Sequence, residues 1–145
     1  MLNQTQKAYL AGFLDGDGSI YVRLKPNSTY RYGFQVAPYI VLFQSQKGKE
    51  NFKKICSLIG LGYLRERKDG ILEYIISRVN ELRKFLTIVK PFVILKEKQV
   101  ALMVEILDKK EKVQDKDDFR RLVDLIDRFR ELNYSKKRKK RVLTP

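Results

Sequence analysis

The sequence contains no histidine and only one cysteine, Cys56, among its 145 residues. Without histidine there is no Ser-His-Asp or Cys-His dyad, no zinc finger and no histidine-based nuclease site. A single cysteine excludes an internal disulfide and any site built from several thiolates. No apolar run approaches the ~20 residues of a membrane span, and the first residues lack the apolar core of a signal peptide, so we expect an intracellular protein. Metal or acid–base chemistry therefore has to come from carboxylate, amide, hydroxyl and cationic side chains.

Acidic residues are scarce beside basic ones. The chain has 31 Lys and Arg against 17 Asp and Glu, a net charge of +14, and an isoelectric point near 9.9. Such a surplus destabilises a small compact domain unless a polyanion neutralises it, which favours nucleic acid as the partner. A ribosome-like structural role or binding to an anionic membrane surface is the alternative. Six of the surplus charges lie in residues 136–141, so we expect a basic domain over 1–135 and a basic tail over 136–145.

Hydrophobic periodicity predicts one α+β domain with the order α-β-β-α-β-β-α-α-α. We expect a helix over 5–16 with Thr5 as N-cap, a strand over 19–25, and a second strand over 30–44 with a bulge or unpaired position at Pro38. A short helix over 50–59, strands over 63–67 and 71–77, and a hairpin turn over 68–70 follow. Three helices come last: one capped by Asn80 and stopped by Pro91, one over 94–108, and one over 119–132. The predicted fold is an αββαββα core in which helices back a four-stranded antiparallel sheet.

One face of the predicted sheet is nearly free of acidic side chains. An ordinary solvated face mixes both signs, whereas Arg and Gln pair with guanine and adenine edges in the major groove. We therefore interpret this face as a nucleic-acid surface. Its candidate residues are Tyr21, Arg23, Lys25, Arg31, Gln35, Tyr39, Arg65 and Arg67, with Glu73 as the acidic exception.

The junction between the first helix and the first strand, residues 10–18 (LAGFLDGDG), breaks two local rules. Ala11 and Gly12 weaken the middle of a helix but let a second helix approach closely. Asp15 and Asp17 lie at the helix C-terminus, where the helix dipole disfavours carboxylates. In a protein this basic, an acid at such a place is a candidate metal ligand facing phosphate.

This segment closely resembles the LAGLIDADG motif of homing endonucleases. The resemblance continues through the following strand, residues 59–63 (IGLGY) and residues 96–99 (KEKQ). One motif in a chain of this length is similar to the homodimeric, single-motif branch associated with group I introns. The resemblance implies a saddle-shaped sheet, double-stranded DNA as substrate, and a dimer in which the motif helices cross. The implied interface residues are Leu10, Ala11, Gly12 and Leu14.

The resemblance also implies a hydrolytic site. Asp17 matches a metal-ligating carboxylate, assisted by the backbone carbonyl of Gly16, whereas Asp15 matches a structural acid. Gln44 matches a residue that holds the water network around the metals, and Lys96 matches a lysine that polarises water or stabilises charge at the phosphate. The implied metal is Mg²⁺, with Mn²⁺ expected to substitute and Ca²⁺ expected to bind without supporting cleavage.

Two further sets of residues follow from the resemblance. An arginine of the family pattern is replaced by Gly48, which leaves Lys47 or Lys49 to take its role. The implied DNA contacts include Asn27 and Tyr30 besides the sheet face, and backbone contacts by Lys136 and Lys139 of the tail. Two alternatives stay open, an RNA-binding intron maturase and a DNA-binding protein whose catalysis has decayed. Retention of Asp17, Gln44 and Lys96 argues against decayed catalysis, and the Arg and Gln pattern of the sheet face argues against the maturase.

Overall fold

The structure is a computed structural model that describes residues 1–133 and Leu143. Lys136 and Lys139, the two tail residues predicted to contact DNA, lie outside the described residues. Within the described part of the chain, no helix is long and apolar enough to cross a membrane.

Over residues 1–133, five helices and four strands follow one another in the predicted order. The helices are α1 (Gln4–Asp17), α2 (Lys49–Ile59), α3 (Val79–Val89), α4 (Glu97–Glu111) and α5 (Lys116–Leu132), and the strands are β1 (Gly18–Pro26), β2 (Phe34–Ser45), β3 (Tyr63–Glu66) and β4 (Ile71–Ile76). A short 3₁₀ turn, Gln46–Gly48, connects β2 to α2. The predicted αββαββα core with two further helices is confirmed.

The four strands form one antiparallel sheet in the order β1-β2-β4-β3. One face carries a row formed by Ile20, Ile40 and Ile76, which are opposite one another and at most 1% exposed. The helices cover this face and share its core with buried side chains such as Phe85 and Met103. The other face of the sheet is the one predicted to bind nucleic acid.

Several local boundaries differ from the predictions. The N-cap of α1 is Asn3 rather than Thr5, because Asn3 and Gln6 form a reciprocal capping box. Asn80 lies inside α3, whose N-cap position is Arg78. The register of β1 and β2 runs through Pro38 without a bulge, and Pro38 lies beyond the segment of β2 that pairs with β4.

Candidate metal centre and nucleic-acid interface

Helix α1 passes into β1 without a connecting loop. Gly18 caps the helix by donating its backbone N–H to the Leu14 carbonyl, and its own conformation is already extended. A Cβ at Gly18 would lie 2.6 Å from the Leu14 side chain and 2.7 Å from its carbonyl oxygen, so this junction requires glycine. Asp17 is the last residue of α1 and is exposed, as is Gly16. The junction therefore presents one carboxylate and one nearby carbonyl at the end of the sheet.

The Asp15 carboxylate and backbone carbonyl both accept hydrogen bonds from within the chain. The carboxylate accepts hydrogen bonds from the backbone amides of Ile94, Leu95 and Lys96, at 2.8, 3.1 and 3.0 Å. The Lys96 ammonium in turn donates to the Asp15 carbonyl oxygen at 2.8 Å. These contacts bring the segment before α4 against the end of the motif helix, and Lys96 lies there half-buried.

Gln44 lies at the same end of the sheet. Gly18 is opposite Leu42 in the register, so Gln44, two residues further along β2, is level with the residues that precede β1. Its side-chain oxygen accepts the Ser45 amide at 2.9 Å. A Cβ at Gly48 would lie 3.5 Å from the Gln44 side chain, an ordinary contact distance. The fold therefore brings Asp17, Gln44 and Lys96 to one end of the β1–β2 hairpin.

The two lysines beside Gly48 differ in their contacts. Lys49 forms an ion pair with Glu66 of β3, and this lysine holds the pKa of the Glu66 carboxyl below its usual value. The Lys47 ammonium makes no hydrogen bond or ion pair with any described residue, and the side chain is exposed. Lys49 is committed to an ion pair with Glu66, which leaves Lys47 as the lysine of the two with an unpaired ammonium among the described residues.

The register fixes which side chains share the open face of the sheet. Residues opposite each other in an antiparallel pair point to the same side, and Tyr21 is opposite Tyr39, Lys25 is opposite Gln35, and Arg65 is opposite Glu73. Arg23 falls on this face by alternation along β1. Ala37, Val41 and Ile75 form its apolar floor. The strand residues predicted to bind nucleic acid thus lie together on one surface, the groove face.

Polar side chains on the groove face are held by neighbours. The Lys25 ammonium donates to the Tyr39 hydroxyl at 2.9 Å and lies 5.5 Å from the centre of its ring. Tyr39 stacks with Tyr21 at 5.3 Å between centroids. Burial, with the neighbouring Tyr39 and Glu73, raises the pKa of Tyr21, so this phenol stays a neutral hydrogen-bond donor. Aromatic packing therefore pre-orients the donors on this part of the face.

Two predicted DNA-contacting residues lie in the β1–β2 connection instead of on a strand. β2 begins at Phe34, so Tyr30 and Arg31 belong to the turn, not to the predicted strand over 30–44. Asn27 shapes this turn, because its side-chain oxygen accepts from the amide and hydroxyl of Thr29 at 3.0 and 2.6 Å. The Arg31 guanidinium lies over the Tyr32 ring at 5.3 Å. Arg31 and Tyr30 remain exposed at the far end of the groove face.

The predicted dimer-interface residues divide between two sides of α1. Leu10, Ala11 and Leu14 are 0% exposed inside the single chain, so they pack into its own core rather than facing a second copy. Gly12 is the only one of the four that is exposed. A helix period of 3.6 places Ala8, Gly12 and Gly16 on one exposed stripe, and a Cβ at either glycine would meet nothing within 4 Å.

Sequence reasoning missed two exposed apolar side chains beside this stripe. Ile94 and Leu95 are 78% and 75% exposed, and the Asp15 carboxylate holds their backbone at the C-terminal end of α1. Hydrophobicity alone predicts burial, so no signal in the sequence distinguishes them from core residues.

The donor set suits a hard divalent cation. Among the described residues, no three carboxylate or thiol side chains come together as a metal cluster. Each chain offers the Asp17 carboxylate and the Gly16 carbonyl, both oxygen ligands of the kind that Mg²⁺ prefers, and Mg²⁺ usually keeps several waters. One chain alone therefore offers fewer protein ligands than an all-protein cation site requires.

This fold and site define a LAGLIDADG endonuclease: a motif helix ends on an exposed acid next to an antiparallel sheet with a basic open face. The chain belongs to the LAGLIDADG endonuclease family, whose model matches residues 10–104.

Individual relatives agree with this assignment. The DNA endonuclease I-CreI of Chlamydomonas reinhardtii is 36% identical over 132 residues, which cover 90% of this chain and 80% of that protein. The DNA endonuclease I-CvuI of Chlorella vulgaris is 31% identical over 107 residues, covering 74% and 66%. A crystal structure of I-CvuI in complex with its target in the presence of 2 mM Ca superposes with a TM-score of 0.82 at 28% identity, covering 96% of this chain and 87% of that one.

Proposed function

We propose that this protein is a homing endonuclease that hydrolyses both strands of a long, pseudo-palindromic DNA site as a homodimer. The observation that carries the proposal is the exposed Asp17 carboxylate, which lies with Lys96 and Gln44 at the end of the basic groove face. The names of I-CreI and I-CvuI as DNA endonucleases support it. Residues 1–135 act as one endonuclease domain, and residues 136–145 act as a phosphate-binding arm.

The residues at the centre have distinct roles in phosphodiester hydrolysis. Asp17 and the Gly16 carbonyl hold Mg²⁺, which when bound activates water and stabilises charge on the phosphate and the leaving 3′ oxygen. Gln44 orients water by hydrogen bonds, and the Lys96 ammonium stabilises negative charge at the scissile phosphate. Lys47 supplies a second positive charge close to Gln44. Mn²⁺ substitutes for Mg²⁺, whereas Ca²⁺ binds without supporting cleavage.

A second copy completes the site. The exposed stripe of Ala8, Gly12 and Gly16 lets two α1 helices cross closely, and Ile94 and Leu95 extend this surface with apolar area. Burying these side chains against a partner stabilises the dimer by about 25 cal/mol for each Å² of apolar surface that is removed from water. The two copies of Asp17 then face the two strands across the twofold axis, which gives a staggered cut.

The groove face reads sequence, and the tail adds affinity. The strand and turn residues predicted above contact base edges, and two copies together cover roughly 20 base pairs, about one helical turn for each half-site. Lys136 and Lys139 contact the DNA backbone and contribute to binding without reading bases.

A cleavage selection tests the proposal. Purified protein is incubated with duplex DNA carrying long randomised inserts, in Mg²⁺, in Ca²⁺ and in chelator. We expect a pseudo-palindromic set of sites to be cut in Mg²⁺ alone. Asp17→Asn should bind these sites and not cut them, because the amide is a poor substitute for the carboxylate ligand. Glu105→Gln, which removes an exposed acid of α4, is the matched control and should cut normally.

The failed outcomes point to the alternatives. DNA that is bound tightly but never cut in any divalent metal would indicate a binding protein whose catalysis has decayed. The deep, narrow major groove of A-form RNA does not admit a broad sheet, so an endonuclease of this fold should prefer duplex DNA. Preferential binding of folded intron RNA would therefore indicate a maturase. Equal cutting by Asp17→Asn would show that the metal site is assigned to the wrong residue.

A further inference from the structure

Asp15 connects two parts of the chain that are about 80 residues apart. Its carboxylate accepts the three successive amides that precede α4, those of Ile94, Leu95 and Lys96. These amides come before the first turn of α4 and have no helical carbonyl to bond to. One side chain therefore holds the whole approach to α4 in place.

The same residue also holds the Lys96 side chain. The Lys96 ammonium donates to the Asp15 carbonyl oxygen at 2.8 Å, while the Lys96 amide donates to the Asp15 carboxylate at 3.0 Å. Backbone and side chain of Lys96 are thus both fixed to Asp15. Since Asp17 follows only two residues later in the same helix, the position of the ammonium relative to the Asp17 carboxylate is set through Asp15.

The electrostatics of the two helices explain why an acid is kept at this place. A carboxylate is disfavoured at the C-terminus of α1 and favoured at the N-terminus of α4, and Asp15 lies at both. An ionised carboxylate can accept several N–H groups with its two oxygens, whereas an asparagine accepts with one oxygen and presents an NH₂ group to donors. Asp15→Asn therefore breaks part of the clamp with almost no change in volume.

We propose that Asp15 is a positioning residue for catalysis, which acts by placing the Lys96 ammonium beside the Asp17 metal site. The proposal rests on the function proposed above. The Asp15 carboxylate accepts three backbone amides of the segment before α4, so its substitution acts through Lys96.

A double-mutant cycle tests this role. Asp15→Asn should lower the single-turnover cleavage rate by about 10- to 100-fold, because small displacements of a reacting group cost factors of this size, and should change the Kd for DNA by less than about threefold. Lys96→Met keeps the length of the side chain and removes the ammonium. If Asp15 acts through Lys96, adding Asp15→Asn to Lys96→Met lowers the rate little further. If the fold-changes of the two single substitutions instead multiply in the double variant, the proposal is overturned.

A carboxylate of similar contacts elsewhere provides the control. Asp118 accepts the Gln114 amide at 3.1 Å and pairs with Arg121 at the start of α5. Asp118→Asn should destabilise the fold without lowering the cleavage rate at saturating DNA. Thermal unfolding of all variants separates lost stability from lost positioning.

Two measurements on DNA-free protein decide the proposal independently of cleavage. In hydrogen exchange, the amides of residues 94–96 should be protected in the wild type and in Lys96→Met, and should exchange faster in Asp15→Asn. Acetylation of Lys96, followed by mass spectrometry, should be faster in Asp15→Asn than in the wild type. Unchanged exchange and acetylation would overturn the positioning role. Absence of metal-dependent cleavage in the wild type would instead overturn the proposed function, and these two measurements would still report on Asp15.

Discussion

The side-chain amide of Asn133 donates to the backbone carbonyl of Ile20 at 3.0 Å, across 113 residues of chain. Asn133 is the C-cap of α5, and β1 is an edge strand of the sheet that the described residues form. A second amide acts nearby, since Gln99 of α4 donates to the Leu132 carbonyl at 3.1 Å. The end of α5 is therefore fixed beside the start of β1, three residues after Asp17. Lys136 follows Asn133 by three residues in the sequence.

Asn133→Ala tests whether this contact directs the basic tail to DNA. The substitution should lower the free energy of unfolding by about 1 kcal/mol, the usual cost of one lost hydrogen bond. It should also weaken DNA binding and flatten its salt dependence, because each lost phosphate contact lowers the slope of log K against log salt by about 0.9. Binding titrations at several salt concentrations provide the measurement.

The double substitution Lys136→Ala and Lys139→Ala is the reference for this experiment. It should lower the salt slope by about 2 without relaxing base preference. Adding Asn133→Ala to that background should leave the slope unchanged. A wild-type slope in Asn133→Ala would show that the tail reaches DNA without this contact.

Gly12→Ala separates the stability of one chain from self-association. Within the chain, a Cβ at Gly12 has nothing within 4 Å, and alanine favours a helix interior by about 1 kcal/mol over glycine. The unfolding free energy of the monomer should therefore rise. In a dimer with crossed α1 helices, the same Cβ lies between the two backbones, so sedimentation should show weaker association.

Leu95→Lys should weaken association by a separate route, through loss of exposed apolar surface. Unchanged association in both variants would place the dimer contact elsewhere.

The sequence predicts the sheet well because its signal is local. Strict alternation in β1 fixes both the buried row with Ile20 and the open face with Arg23 before any partner strand is known. The same signal misleads at Tyr30 and Arg31, where alternation continues into a turn that is shaped by Asn27. The boundary depends on side-chain hydrogen bonds of that turn, which alternation does not report.

The candidate site is only partly predictable, because its remaining parts depend on distant contacts. The motif locates Asp17, but the family resemblance also implies Leu10 and Leu14 as interface residues, whereas both are buried in the core of the single chain. The unfavourable position of Asp15 is visible in the sequence, whereas its partners at residues 94–96 are 80 positions away. The exposure of Leu95 is equally invisible, since it depends on how the segment before α4 docks.

Arg65 and Arg67 should differ in their effects on base specificity. Arg67 donates to Asp69 at 2.6 Å and lies 4.0 Å from Glu73, so acidic neighbours already compete for its guanidinium. Arg65 makes no hydrogen bond or ion pair with the described residues, which leaves its guanidinium group available to pair with a base edge. Arg65→Ala should cost about 1–3 kcal/mol and relax preference at one position of each half-site. Arg67→Ala should cost less. Cleavage profiling on single-substituted sites measures both, and equal profiles for Arg65→Ala and the wild type would contradict direct readout by this arginine.

Cys56, which lies on α2, provides a test of burial away from the groove face. Burial raises the pKa of the Cys56 thiol from 9.0 to about 11. Because the thiolate is the reactive form, alkylation at pH 8 should be about 100-fold slower in the folded protein than in urea, and this ratio should shrink as the pH approaches 11.

The folded state binds the thiol proton of Cys56 more tightly than the unfolded chain does, so this contribution to stability is complete below about pH 9 and is lost as the pH rises through 11. Cys56→Ser removes the alkylation signal and should reduce the loss of stability over this interval. Equal alkylation rates in folded and unfolded protein at pH 8 would show that the thiol is not shielded.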